Sequence, residues 1–227
     1  MNQNNTLDVI EHKQRVAFHE AGHAAGIHFN NKLKGLPPVF FRIVFKDIAD
    51  FIEVEGMAYQ TIHNECIARV EGGRLIEVIP NSFNSDKKLQ LMTHYKTAFE
   101  ADIINLLIGP LAEAKYVADI DDELFNHKLI TVDALKNYGG SYDIALATEY
   151  LQSLSSNKHE QDEKLAELFS MAYNFIDNAE NWRAITHLAE YILGSCQHII
   201  DCEDVITMLD KSVTHFKNRR ILKIGEY

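Results

Sequence analysis

The chain has 227 residues, 46% of them hydrophobic, and its 22 Lys+Arg against 33 Asp+Glu leave a formal charge of −11. That length and apolar content suffice for one domain with an ordinary buried core, taken here as residues 1–227. So acidic a balance argues against binding nucleic acid and against docking on anionic lipid, since both need a basic face.

Residues 1–7 read as a disordered tail. From Leu7 to Phe29 the apolar positions Val9, Val16, Ala17, Ala24 and Ile27 fall near helical spacing, with no proline among them. Asn30-Asn31, Gly35 and Pro37-Pro38 end that helix. Val39 to Lys46 is β-branched and aromatic and reads as a strand; Gly56 to Ile62 reads as a second extended stretch. Cys66 to Pro80 reads as a hairpin turning at Gly72-Gly73. Lys87 to Ile108 is a helix expected to break or kink at Gly109-Pro110. A short helix over Thr131–Asn137 follows, then a stop at Gly139-Gly140, then helices over Tyr142–Leu154, Gln161–Asn178, Asn181–Leu193 and Glu203–Lys217. The fold class is α+β and mainly helical, a small sheet near the first helix followed by a helical bundle.

Cys66, Cys196 and Cys202 have no CxxC spacing and read as free thiols of a reducing compartment. Met1 to Thr6 has neither the basic nor the apolar region of a secretory signal, and no apolar run approaches the ~18 residues that span a bilayer. A cytoplasmic location with no membrane contact is the expectation.

One pentapeptide carries chemistry. His19-Glu20-Ala21-Gly22-His23 is an HExxH motif. Residues four apart on a helix are separated by about 400°, so both imidazoles leave one face a turn apart and can take adjacent corners of a zinc tetrahedron. Glu20 lies about 100° round the helix, angled away from ligation but within reach of a water, as a general base requires. With 11 His and 18 Glu in the chain, random placement yields roughly 0.04 such patterns. The competing reading is a pair of helix histidines satisfied by neighbours. Gly22 and Gly26 speak against it, because each costs a helix roughly 1 kcal/mol relative to alanine. With Ala21, Ala24 and Ala25 they make a bare surface suited to close approach by another backbone.

A hydrolytic zinc site needs a third protein ligand and one open position. The extended pattern HExxHxxGxxH fails here, since Gly26 fits but position 29 is Phe29 and His28 falls one residue short. Three carboxylates remain as candidates: Glu113, Glu100 and Asp143, the last on the first turn of a helix, where the dipole favours negative charge. Asp143 taken alone equally fits a plain helix-start carboxylate. The remaining histidines scatter without ligand spacing. Trp182 reads as helix packing, and Tyr142 as either packing or lining of the site.

The segment Val16-Ala17-Phe18-His19-Glu20-Ala21-Gly22-His23-Ala24 resembles the peptidase signature of the FtsH family of ATP-dependent zinc proteases. Gly56-Met57-Ala58-Tyr59 is similar to that family's substrate-side strand. Leu106 to Ala114 is similar to its LLGGRAAEE helix, and Gly140 to Glu149 to its GASNDLxxATE segment. The resemblance implies Zn2+ on His19, His23 and Asp143, Glu20 as base, and substrate bound at Gly56, Met57, Ala58 and Tyr59. It implies unfolded polypeptide or peptide substrates and a homo-oligomer. Departures are visible. No GxxxxGK[ST] phosphate loop occurs, so an AAA+ unfoldase would have to act in trans. The family's Gly-Gly-Arg is Ile108-Gly109-Pro110 here, its second glutamate is Ala114, and extra residues are expected near 66–80 and 119–138. These departures also suit an alternative, a non-catalytic module of the same fold that binds peptides or partner proteins.

Overall fold

The computed structural model describes residues 3–47, 66–77, 85–195 and 197–224. Helix α1 covers Gln3–Ala25 and passes through a π-helical turn, Gly26–Asn30, into the short α2, Asn31–Leu33. The helix thus takes in residues read above as tail. Strand β1 (Phe41–Asp47) and strand β2 (Cys66–Gly72) are antiparallel, with Ile43 opposite Val70. The Gly56–Ile62 stretch lies outside the described residues.

The expected hairpin at Gly72-Gly73 does not form. β2 pairs instead with β1, and the chain leaves the sheet through Gly72 and Gly73, both at φ +84. Gly73 N–H bonds the Phe40 carbonyl at 2.9 Å, and a Cβ at Gly73 would come 2.3 Å from Ile27 Cδ1, so the glycine closes the sheet onto α1 rather than turning the strand back. Residues 66–72 are therefore part of the sheet. A third, two-residue strand, β3 (Ile199–Ile200), pairs with β1 on its other edge and gives the order β2-β1-β3. Nothing in so short a segment marks it as a strand beforehand.

Helix α3 (Ser85–Ile120) is the centre of the molecule. Ala101, Ile103, Leu107, Ile108 and Leu111 are all fully buried, and α1, α4 (Ser141–Leu154) and α5 (Lys158–Asp177) pack round it. The expected break at Gly109-Pro110 is absent, and the helix runs through Pro110. A proline there removes one backbone hydrogen bond, but the residues on both sides are buried against other helices, and packing outweighs that loss. Between α3 and α4 the chain makes a 3-10 turn at Asp133–Tyr138, then turns at Gly139 with φ +70.

α5 and α6 (Ala179–Gly194) begin earlier than periodicity suggests, because Asn157 and Asn178 cap their first turns with side-chain oxygens. Helix α7 (Cys202–Ile224) packs on α6 and on β1. Cys202 is a free thiol. Among the described residues no helix is long and apolar enough to cross a membrane. The result is α+β and mainly helical, as the periodicity predicts.

Gly22 of α1 and Gly26 of the π-helical turn set the distance from α3. A Cβ at Gly22 would lie 2.7 Å from Ala112 Cβ and 2.9 Å from the Ile108 carbonyl oxygen; one at Gly26 would lie 3.0 Å from Ile108 Cδ1. The two helices meet backbone to backbone, as the bare surface of α1 leads one to expect.

Candidate metal centre

His19 and His23 leave the same face of α1, their rings 4.8 Å apart between centroids. Asp143, on the first turn of α4, stands against both. Its Oδ2 is 3.3 Å from His19 Nε2 and its Oδ1 3.4 Å from His23 Nε2. His19 and Asp143 are buried. Of the three carboxylates that the sequence offers, the structure brings this one to the motif. Glu100 instead bonds Lys164 Nζ at 3.2 Å, and Glu113 goes to the far side of the His19 ring.

That far side decides what the near side can do. His19 Nδ1 donates to Glu113 Oε2 at 3.1 Å and faces the Tyr138 carbonyl at 3.2 Å. Glu113 Oε1 in turn accepts from Arg15 Nε at 2.9 Å, and Arg15 Nη2 reaches the Asn137 carbonyl at 3.0 Å. His23 Nδ1 donates to the Asn105 carbonyl at 2.9 Å. Carboxylates and carbonyls only accept, so both Nδ1 atoms carry the hydrogen. In the neutral rings both Nε2 lone pairs then point at Asp143.

Three acceptor atoms, one from each residue, lie within 4.8 Å of one another, and this is the group among the described residues able to hold a metal ion. A tetrahedron with bonds of about 2.0–2.1 Å has edges of about 3.3 Å, and each imidazole stands at about that distance from its own oxygen of Asp143. The donor set therefore fits a small divalent cation.

Without a cation the three groups share protons. Burial disfavours both charged rings, but Asp143, together with Glu113 at His19, outweighs it and raises both histidines above their ordinary range. Burial also opposes ionisation of Asp143, and the two imidazoles override it and hold the carboxyl well below the usual carboxylate range. Glu113 is likewise held low against its own burial by His19 and Arg15.

Glu20 lies beside this group, not in it. Its carboxylate accepts from the backbone N–H of Val70 on β2. Burial raises its pKa, while the nearby imidazoles and Val70 N–H pull the other way. A strand residue sends its N–H and C=O to the same side. Val70 therefore turns both away from β1, toward the side of β2 on which Glu20 lies. Gly109 underlies His23, where a Cβ would fall 2.3 Å from Nε2.

The positions Gly56, Met57, Ala58 and Tyr59 lie outside the described residues. Tyr142 is half exposed at the rim, with the Arg69 guanidinium 5.8 Å from its ring centroid. Trp182 packs against Phe18 and under Lys115. Sequence reasoning missed Arg15, and it missed the backbone groups of Asn105, Tyr138 and Val70. An arginine four residues before the first histidine is a faint signal at best, and peptide groups leave none.

No protein-family model matches this chain, and no curated protein sequence matches it.

Proposed function

We propose that the protein is a zinc-dependent metallopeptidase that cleaves unfolded polypeptides or peptides. One observation carries the reading: two imidazole nitrogens and one carboxylate converge within 4.8 Å of one another, with a second carboxylate, Glu20, beside them and outside that group. Two histidines and one carboxylate, plus an open position, are a hydrolytic zinc ligand set. A structural site has no use for the base.

His19, His23 and Asp143 would hold a zinc ion, which would supply Lewis acidity at the site. Glu20 takes the proton from the attacking water and returns it to the leaving amine. Its bond to Val70 of β2 supports an extended substrate bound beside that strand, where backbone pairing tolerates many sequences. By the resemblance, Gly56, Met57, Ala58 and Tyr59 are further substrate-binding positions in this proposal. Folded substrates would need an unfoldase, and a homo-oligomer is part of the same proposal.

The test is metal content and cleavage together. About one zinc per chain is expected, lost in Asp143→Ala. Glu20→Gln is expected to keep the zinc and to lower cleavage of a labelled unfolded chain by about 10²- to 10⁴-fold. Cleavage unchanged in Glu20→Gln would falsify the enzyme and leave the peptide-binding module as the better reading. Iron instead of zinc would redirect the chemistry, since the same ligand set serves non-haem iron.

A further inference from the structure

The π-helical turn after the motif, Gly26–Asn30, delivers two consecutive asparagines to α3. Asn30, Asn31 and Asn105 are all buried. Asn30 Nδ2 donates to Asn105 Oδ1 at 2.8 Å, and Asn105 Nδ2 donates to Asn31 Oδ1 at 3.0 Å. The direction of this chain is fixed at one end, because Asn30 Nδ2 also faces the Ala101 carbonyl at 3.5 Å, which can only accept. At the other end Asn31 Nδ2 has no partner among the described residues. Three buried amides with a leftover donor are a poor arrangement for stability alone.

They have a second connection. The residue whose side chain is gripped on both sides is the residue whose backbone carbonyl takes the His23 Nδ1 hydrogen, at 2.9 Å. We infer that Asn105, clamped by Asn30 and Asn31, is a positioning residue for His23 and so for the metal centre. The inference rests on the reading of His23 as a ligand.

The geometry runs as a short lever. Asn30 and Asn31 continue the helix that bears His23, while Asn105 lies on α3. The amide chain therefore ties the two helices together one to two turns beyond His23, and it sets how far the Asn105 carbonyl stands from the ring. Gly26 leaves the room this needs, because a Cβ there would come 3.2 Å from Asn105 Oδ1 and 3.4 Å from its Cα. His19 is held separately, by the Arg15–Glu113 pair at the other end of the motif. Each ligand thus has its own support, a carboxylate for His19 and a peptide carbonyl for His23. The carbonyl is the weaker acceptor and the more dependent on placement.

The experiment measures zinc affinity by competition with a chromophoric chelator. The His23 Nδ1–H signal in ¹⁵N-histidine-labelled protein is recorded at about pH 8, where histidine is ordinarily neutral. Asn105→Ala is expected to weaken zinc binding about 10- to 100-fold and to broaden or shift the His23 signal. Asn105→Asp is expected to return affinity to within about threefold of wild type, since a carboxylate accepts from both Asn30 and a flipped Asn31. Asn30→Ala, which leaves α3 unaltered, is expected to act like Asn105→Ala and replaces it if that variant does not fold. Wild-type affinity with an unchanged His23 signal in either alanine variant overturns the inference, even if its melting temperature falls. If the wild type itself binds no zinc, the metallopeptidase reading fails, and the His23 signal of the metal-free proteins still decides whether Asn105 positions that ring.

Discussion

Glu113 Oε2 lies 3.1 Å from His19 Nδ1, the ring nitrogen turned away from Asp143. The carboxylate that competes with Asp143 in the sequence thus supports His19 from behind and stands outside the group that could hold a metal ion. Glu113→Gln keeps the shape but turns an amide against either Arg15 or His19, both of which are donors. Zinc affinity is expected to fall about 10- to 100-fold, the usual loss when such a supporting group is removed. Chelator competition reads it, and an unchanged affinity would show that the Tyr138 carbonyl suffices to hold the ring.

Metal binding should be coupled to pH through the same rings. Both histidines hold protons above their ordinary range in the metal-free protein, because Asp143 and, at His19, Glu113 outweigh burial. A raised histidine adds stability that is full below about pH 6.5 and is lost as pH rises through its folded value. Zinc affinity moves the opposite way, since each ring must release its proton to ligate. The rise in Tm on adding zinc is therefore expected to be larger at about pH 8 than at about pH 6. Calorimetry of metal-free and zinc-loaded protein checks it, and a pH-independent rise would mean that the rings are already neutral.

Asp102 offers a second titration, away from the metal centre. Its buried carboxyl accepts from Leu75 N and Ile76 N, both at 2.9 Å, and faces Tyr150 Oη at 3.1 Å, pinning the chain after β2 to α3. Burial pushes its pKa up to about 6, against the pull of those donors. The fold thus favours the protonated form more than the unfolded chain does. Stability is expected to be greatest below about pH 4 as far as this group is concerned, and to decline as pH rises through about 6. Carbon-13 NMR of the carboxyl carbon should place the midpoint near 6. Asp102→Ala is expected to cost about 1–3 kcal/mol at neutral pH through the orphaned N–H groups, read by urea denaturation.

Two glycines can be tested by adding one methyl group. Alanine at Gly109 would press its Cβ to 2.3 Å from His23 Nε2. Helix propensity favours alanine by about 1 kcal/mol, so the fold is expected to survive while zinc affinity drops at least about tenfold. Gly22→Ala meets Ala112 Cβ at 2.7 Å and a backbone oxygen at 2.9 Å. Neither can swing away, and a loss of about 1–3 kcal/mol is expected from forcing α1 off α3. Zinc binding and urea denaturation, measured on both variants, separate the two effects.

What the sequence determined by itself is what depends on near neighbours. The i,i+4 spacing puts His19 and His23 on one helix face with Glu20 beside them, and periodicity marks most of the helices because a helix repeats within a few residues. Local rules misjudged elements that answer to distant ones. Gly72-Gly73 has the composition of a hairpin turn but serves a strand paired with β1, and Pro110 has the chemistry of a helix breaker but sits in a buried helix. The choice of carboxylate shows the limit most clearly. Glu113 and Asp143 are both helix carboxylates, and residue spacing left both open; only the FtsH-like segment around Gly140 to Glu149 favoured Asp143. Packing of α1, α3 and α4 sends one to Nδ1 and the other to Nε2 of the same ring. The remaining supports of the site, the Asn105 carbonyl to His23 across 82 positions and the Val70 N–H to Glu20 across 50, are peptide groups. Every residue but proline carries them, so only the tertiary structure selects which ones serve.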